Sequence, residues 1–161
     1  MKTIYLDMDG VVADFDSYVK KVLNTTEKNH NWPNEEWIKI GKNPRLYRDL
    51  DKTLEADELV TFCRNMCKEN NWKLFFLTAV PKNNDMPWAY YDKIQWVLKH
   101  YPDIPVFFGP YSFSKWTHCK NQDILIDDRP SNCDQWTAVG GIAILHQGDI
   151  AETLRSLQNL S

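Results

Sequence analysis

Hydrophobic and polar positions alternate along this chain with two periods. Short runs of aliphatic and aromatic residues predict five β-strands, and apolar residues spaced three and four positions apart predict helices between them. The predicted strands are residues 4–6, 73–77, 105–108, 123–126 and 140–145, and the predicted helices are residues 14–23, 54–67, 88–100, 114–119 and 149–157. This alternation predicts an α/β fold with a doubly wound parallel sheet, in a single domain that spans residues 1–161.

Residues 24–51 interrupt the alternation. They are polar, aromatic and irregular, with one short helical pattern at residues 35–40. A structureless connection longer than about 15 residues is unusual inside a compact domain. Residues 15–52 are therefore predicted to form a small helical cap inserted after the first strand. The large aromatic residues of this segment are either packing anchors of the cap or a binding surface, and they are Phe15, Trp32, Trp37 and Tyr47.

The predicted helix 88–100 has one apolar stripe. The spacing predicts an inner face made of Tyr90, Ile94, Val97, Leu98 and Tyr101. Lys93 is predicted to lie on the flank of this helix.

Composition and charge limit the classes of partner. With 43% hydrophobic and 25% charged residues, the chain is typical of a globular domain. A formal net charge of −3 gives no basic field for a nucleic-acid backbone, so no polymeric nucleic acid is expected as a partner. No apolar run approaches a membrane span, and no signal peptide is recognised, so no membrane partner and a cytoplasmic location are expected. The oligomeric state is left open, with a homodimer among the alternatives.

The four cysteines fit a reducing compartment as buried thiols. A zinc site made of His118, Cys119 and Cys133 is an alternative. Its spacing matches no structural zinc pattern, so this alternative is disfavoured.

The first predicted strand ends in an acidic turn, Asp7-Met8-Asp9-Gly10. Ligands of open α/β sheets bind at the carboxyl ends of the strands, where two carboxylates could hold a hard cation and leave one acid for chemistry. An ordinary Asp-Gly turn is the alternative reading of this pattern alone.

A second pair of acids, Asp127 and Asp128, follows the fourth predicted strand. Buried acids are costly without a cation or hydrogen-bond donors, and parallel strands bring both acid pairs to one edge of the sheet. The alternative is that these acids only cap the turn before Pro130. Thr78 ends the second predicted strand, where its hydroxyl could donate to a phosphate oxygen. Lys115 is preferred to Lys120 as the lysine of this edge, because Lys120 lies too close to the start of the fourth strand.

These segments resemble the four motifs of the haloacid dehalogenase (HAD) superfamily of phosphotransferases, in the same order along the chain. The motifs are Asp7-Met8-Asp9-Gly10-Val11, Thr78, Lys115 and Asp127-Asp128. A closer likeness is to the 5'(3')-deoxyribonucleotidases, whose first and last motifs are similar to residues 7–15 and 123–130. Lys82 and Lys93 fall where that family has lysines on the phosphate side. The family commonly has a second hydroxyl where this chain has Ala79, and the likeness fades within the cap.

The resemblance implies a mechanism. Asp7 would be the nucleophile and Asp9 the general acid and base, while Thr78 and Lys115 would bind the transferring phosphoryl group. Mg²⁺ would be held by Asp7, the backbone carbonyl of Asp9 and Asp128, with Asp127 reaching it through water. The substrate would be a nucleoside monophosphate, and the substrate-binding residues implied are Phe15, Ala79, Lys82, Lys93 and Arg129.

Three other functions fit the same motifs. A HAD phosphatase of sugar phosphates or other small phosphomonoesters would carry them too. A phosphatase of nucleic-acid ends shares the chemistry, but the acidic balance disfavours it. A metal-binding protein that kept the fold without turnover is disfavoured because both acidic turns are intact.

Overall fold

A computed structural model describes residues 1–28, 31–82, 86–120 and 122–161. Five parallel strands form one sheet in the order β3-β2-β1-β4-β5. The strands are β1 Thr3–Leu6, β2 Lys73–Thr78, β3 Val106–Phe108, β4 Ile124–Asp127 and β5 Ile142–Leu145. The helices are α1 Phe15–Leu23, α2 Asn34–Ile40, α3 Ala56–Asn70, α4 Ala89–His100, α5 Pro130–Ala138 and α6 Ile150–Gln158, with a 3₁₀ helix at Ser112–His118.

Helices cover both faces of the sheet. Side chains of a strand alternate between the faces, so Ile4 and Leu6 lie in the larger core with α3, α4 and α6. Tyr5 lies on the opposite face, where it packs edge-on against Trp136 of α5 at a ring-centroid distance of 5.4 Å. This arrangement confirms the predicted doubly wound parallel sheet.

The segment between β1 and α3 is closed at its base by backbone pairing. Ala13 and Lys52, which both lie outside the strands of the sheet, form an isolated antiparallel bridge. The Asp14 N–H donates to the Asp51 carbonyl at 2.8 Å, and the Thr53 N–H donates to the Val12 carbonyl at 2.9 Å. Helices α1 and α2 lie within this segment, which is the predicted helical cap; its predicted boundaries, 15–52, stay a prediction.

The cap has no separate core of its own among the described residues. Its buried residues Val19, Ile40, Leu46 and Tyr47 belong to the same cluster as the strands and α3. The cap is therefore held against the sheet by continuous apolar packing.

The predicted inner face of α4 is wrong at Tyr90 and Leu98 and confirmed at Val97 and Tyr101. Tyr90 and Leu98 are exposed, whereas Asp92, Lys93 and Trp96 are buried along with Val97. Asp92 and Lys93 each have a charged partner with a partly exposed side chain, Arg48 and Asp9, and the pairing offsets the cost of burying them. Apolar periodicity alone could not register these partners, since they lie 44 and 84 residues away along the chain.

Two smaller boundaries also differ from expectation. Strand β4 begins after Asp123, whose carboxylate accepts the backbone N–H groups of Thr3 at 2.8 Å and Lys120 at 3.0 Å. The predicted helix at 114–119 is a 3₁₀ helix that starts two residues earlier.

Within the described part of the chain, no helix has both the length and the apolar character that a membrane span requires.

Gly10 fixes the turn after β1. Its φ is +83°, in the left-handed region, and a Cβ at this position would lie against the Asp128 carboxylate, 2.7 Å from its Cγ. The glycine therefore lets the β1 turn approach the acidic end of β4.

We expect Gly10→Ala to destabilise the fold more than Gly148→Ala. Gly148 also has a positive φ, +86°, but a Cβ there meets nothing within 4 Å. Gly148→Ala therefore measures the cost of the backbone conformation alone, about 1–2 kcal/mol. The collision with Asp128 should add about 1–3 kcal/mol at Gly10. Urea unfolding of both variants measures the difference, and equal losses would show that the approach of Asp128 to Gly10 is not tight.

Candidate active site

The register of the sheet brings the acids of β1 and β4 together. Leu6 pairs with Ile126, and the Asp7 N–H donates to the Ile126 carbonyl at 2.9 Å, so Asp7 and Asp127 leave the sheet side by side. One carboxylate oxygen from each of Asp7, Asp127 and Asp128 lies within 4.8 Å of the others, and all three residues are buried. The two acidic turns therefore form one carboxylate cluster.

Lys115 supplies positive charge to this cluster. Its Nζ donates to Asp7 Oδ1 at 2.6 Å and to Asp127 Oδ2 at 2.8 Å, and the lysine is 2% exposed. The 3₁₀ helix after β3 carries it there. Lys120, the alternative, is exposed, so the lysine of this edge is Lys115 as expected.

Asn132 was not recognised from the sequence. Its Nδ2 donates to both Asp127 oxygens, at 3.2 and 3.1 Å, and the Arg129 N–H donates to Asp127 Oδ1 at 2.9 Å. Asn132 lies in the first turn of α5, five positions after Asp127, and that short spacing was the available signal. With these donors and Lys115, the Asp127 carboxylate is already well satisfied.

Burial and mutual repulsion set the titration of the cluster. Burial raises the pKa of Asp7 well above its usual value, repulsion by Asp127 raises it further, and Lys115 opposes both. Burial and Asp127 raise the pKa of Asp128 to about 6. Burial alone would lower the pKa of Lys115, but Asp127 and Asp7 more than offset this, and the pKa is raised. One buried ammonium facing three buried carboxylates leaves a deficit of positive charge.

A second lysine reaches the cluster from the cap. Lys28 Nζ lies 3.1 Å from Asp16 Oδ2 and 3.5 Å from Asp128 Oδ2. Both Lys28 and Asp16 were absent from the predicted site, because no motif marks them. Lys28 is substantially exposed, so water screens its charge more than that of Lys115.

Asp9 and Thr78 meet at Lys93. Lys93 Nζ donates to Asp9 Oδ2 at 2.6 Å and to Thr78 Oγ1 at 2.9 Å. Thr78 is fully buried and Lys93 is 1% exposed, whereas the Asp9 side chain is partly exposed. Lys93, predicted on a helix flank, is thus an interior residue. The predicted phosphate contacts of Thr78 and Lys93 stay predictions.

A cavity of about 350 Å³ opens above the carboxylates. Asp7, Asp9 and Lys115 lie at its polar end together with Asp127 and Asp128. The predicted substrate-binding residues that line it are Phe15, Ala79, Lys82 and Arg129, and the cap residues Trp32, Trp37 and Tyr47 line it as well. The structure therefore brings nearly every predicted site residue to one cavity, with Thr78 and Lys93 beneath it.

Aromatic rings form two walls of the cavity. Phe15 is stacked on Trp37 at 6.2 Å and on Tyr47 at 5.8 Å between ring centroids. Tyr111 and Phe113 also line the cavity and are stacked at 5.6 Å, and Lys82 Nζ lies 4.6 Å from the centre of the Phe113 ring. This second wall was missed, and the aromatic residues that follow Gly109-Pro110 were its only sequence signal. Flat apolar walls beside an acidic floor suit a ligand with an aromatic part and a charged part.

The zinc alternative finds no support among the described residues. In that part of the chain, the single grouping of three potential ligands is the aspartate cluster. Burial raises the pKa of the Cys133 thiol to about 12, which disfavours the thiolate that zinc binds. His118 instead has its Nε2 2.9 Å from the Phe108 carbonyl.

Comparisons with known proteins agree with this geometry. The chain matches a HAD hydrolase, YfnB from Bacillus subtilis, whose crystal structure was determined bound to magnesium; the TM-score is 0.59 at 11% identity, over 99% of this chain and 97% of that one. This likeness shows the HAD fold. No curated protein sequence matches the chain. A family model described as "5' nucleotidase, deoxy (Pyrimidine), cytosolic type C protein" matches residues 1–150. The chain therefore belongs to this family of 5' nucleotidases, hydrolases that act on phosphate monoesters.

Proposed function

We propose that this protein removes phosphate from nucleoside monophosphates through an aspartyl-phosphate on Asp7, with Mg²⁺ bound at the carboxylate cluster. The observation that carries the proposal is the position of Asp7: it lies buried at the acidic end of a cavity whose other walls are aromatic. Family membership supports the same reaction class.

Asp7 is suited to nucleophilic attack. Its Oδ1 is held by Lys115, which orients the carboxylate. A carboxylate that attacks phosphorus replaces one difficult displacement by two easier ones, because water then hydrolyses the aspartyl-phosphate. Asp9, two residues on and lining the cavity, is the general acid of the first step and the general base of the second.

The donor set fits Mg²⁺. Three buried carboxylates with one buried ammonium lack positive charge, and Mg²⁺ prefers carboxylate and carbonyl oxygens. Asp7, Asp128 and the backbone carbonyl of Asp9 would hold the ion. Asp127 already accepts hydrogen bonds from Lys115 and Asn132, and it would reach the ion through water. When bound, the ion would reduce repulsion between the anionic nucleophile and the anionic phosphate. Gly10 supports this assignment, because a Cβ there would fill the space beside Asp128.

The remaining residues divide between phosphate and nucleoside. Lys115 would contact the transferring phosphoryl group, with Lys82 and Arg129 nearby as further cations. Thr78 is fully buried and its hydroxyl accepts from Lys93, so the phosphate contact predicted for it would require this hydroxyl to turn towards the cavity. Ala79 has no hydroxyl, so it would not supply the second hydroxyl contact to the phosphate that the resemblance implies for this position. The cap and the Tyr111–Phe113 wall would hold the base between aromatic faces, which a sugar phosphate lacks. A cytosolic location also belongs to the proposal.

Nucleoside monophosphates should be hydrolysed with a higher kcat/KM than sugar phosphates when both are assayed with Mg²⁺. Phe15→Ala or Trp37→Ala should lower kcat/KM on nucleotides by about 5- to 100-fold, since each stacked base is worth about 1–3 kcal/mol. Activity on p-nitrophenyl phosphate should change little. Trp72→Ala, which alters an aromatic residue at the opposite end of β2, is the control. A wild-type preference for a hexose phosphate over every nucleotide would contradict the nucleotide assignment.

Asp7→Asn should lose several orders of magnitude in turnover, because a carboxamide cannot attack phosphorus to form the aspartyl-phosphate. Asp9→Asn should also turn over poorly, yet its Asp7 remains able to attack. With radiolabelled p-nitrophenyl phosphate, acid-quenched Asp9→Asn protein should carry label and Asp7→Asn protein should carry none. Label on Asp7→Asn protein would place the nucleophile elsewhere.

Asp128→Asn should stabilise the protein when metal is removed with EDTA, by about 1–3 kcal/mol, because it removes a buried charge beside Asp127. Mg²⁺ should raise the melting temperature of the wild type and leave that of Asp128→Asn nearly unchanged. Glu69→Gln, at an exposed position on α3, should behave like the wild type. An equal Mg²⁺ response in wild type and Asp128→Asn would exclude Asp128 as a ligand.

A further inference from the structure

Two adjacent charged residues of helix α4 are buried, which is unusual for both residue types. Asp92 is 0% exposed and Lys93 is 1% exposed. Burying a charge is costly unless it is paired, so the partners of these residues indicate what the helix does.

Lys93 is bound on three sides by groups of the site. Its Nζ contacts Asp9 Oδ2 at 2.6 Å and Thr78 Oγ1 at 2.9 Å, and it lies 4.6 Å from the centre of the Tyr47 ring. Asp9 and Tyr47 line the cavity, whereas Lys93 lies behind them. Its ammonium therefore acts on Asp9 from the interior.

Asp92 ties the same helix to the cap. Arg48 donates to Asp92 Oδ1 from Nε at 3.0 Å and from Nη2 at 2.6 Å, and its guanidinium lies 5.0 Å from the centre of the Tyr91 ring. Tyr47 and Arg48 are neighbours in the cap and contact three consecutive residues of α4. These contacts fix the rotation of α4 that directs Lys93 at Asp9.

We propose that Lys93 is a positioning residue for Asp9 rather than a ligand of the phosphate, and that the Arg48–Asp92 pair holds helix α4 in the orientation this requires. The proposal rests on the proposed function, in which Asp9 is the general acid and base.

The chemistry explains why a lysine suits this place. In the first step Asp7 forms a new O–P bond, the bond from phosphorus to the leaving oxygen breaks, and its electron pair goes to that oxygen. The proton of the Asp9 carboxyl moves to the leaving oxygen, and negative charge develops on Asp9. The Lys93 ammonium, already in hydrogen-bond contact with Oδ2, stabilises this charge without reorganisation. In the second step water attacks phosphorus, its proton returns to Asp9, and the Asp7–phosphorus bond breaks with its electron pair returning to Asp7.

Dependence on the leaving group separates this role from phosphate binding. A nucleoside is a poor leaving group and needs the proton of Asp9, whereas 2,4-dinitrophenolate leaves without it. Lys93→Met should therefore lower kcat/KM about 100-fold or more on a nucleoside monophosphate, as expected for loss of general acid catalysis, and less than about 5-fold on 2,4-dinitrophenyl phosphate. Lys99→Met, on the exposed side of the same helix, should match the wild type on both.

A double-variant cycle tests whether Lys93 acts through Asp9. In the Asp9→Asn background, Lys93→Met should cause no further loss on the nucleotide, because the group it serves is already gone. Equal losses on both substrates in the Lys93→Met variant, or additive losses in the cycle, would overturn the proposal. A wild-type protein that hydrolyses neither substrate would instead reject the proposed function. Lys93→Arg, which keeps the charge, should retain more nucleotide activity than Lys93→Met, and the opposite order would also count against the proposal.

The ion pair between cap and helix has a matched control on the surface. Arg64 pairs with Asp103 through Nε and Nη2, one to each carboxylate oxygen, whereas Arg48 directs both nitrogens at Asp92 Oδ1. The Arg64 guanidinium lies 5.7 Å from the centre of the Tyr101 ring, and both charged side chains of the Arg64–Asp103 pair are exposed. Arg48→Met should lower kcat/KM on the nucleotide about 3- to 10-fold and spare 2,4-dinitrophenyl phosphate, in assays well below its melting temperature. Arg64→Met should leave both rates unchanged. Identical behaviour of the two variants on both substrates would show that the Arg48–Asp92 pair does not position Asp9.

Discussion

The contact of Lys115 with Asp7 and Asp127 is the interaction on which the site depends. Parallel pairing of β1 and β4 places these two carboxylates side by side in the interior, an arrangement that repulsion alone would oppose. The ammonium, held 2.6 and 2.8 Å from the two acids, makes it tolerable. It does not balance the third carboxylate, Asp128. The remaining negative charge is what makes the cluster suited to a divalent cation, and the cluster itself follows from the topology of the sheet.

The cap contributes in two ways that have different physical origins. Phe15, Trp37 and Tyr47 present flat apolar surface to the cavity, which favours a ligand with an aromatic ring. Arg48, by contrast, makes a charged contact with a buried residue of α4. Because Tyr47 touches Lys93 and also lines the cavity, the same cap segment contacts both the ligand space and the group that holds Asp9. The wall of the cavity and the contacts that hold Asp9 are therefore linked through two adjacent residues, Tyr47 and Arg48.

Several buried polar groups near the cavity are each hydrogen-bonded to more than one partner. Asp127 accepts hydrogen bonds from Lys115, Asn132 and the Arg129 N–H, and Lys93 joins Asp9 to Thr78. Each buried charge that approaches the cavity is thus fixed by at least one partner from another element. Such preorganisation lets charge develop during a reaction without movement of the surrounding dipoles.

The sequence by itself determined the five strands, most of the helices between them and the two acidic turns, because these follow from local periodicity and from motifs of a few residues. Helix α5, Pro130–Ala138, was not predicted. It also placed Asp7, Asp9, Lys115 and Asp128 at one sheet edge, since parallel strands end together. Only the tertiary structure decided the buried face of α4, the interior position of Lys93, and the parts played by Asn132, Arg48 and the Tyr111–Phe113 wall. These depend on contacts between residues far apart in the chain, and the ion pairs of Asp92 and Lys93 allow α4 to bury two charged residues that apolar spacing could not indicate.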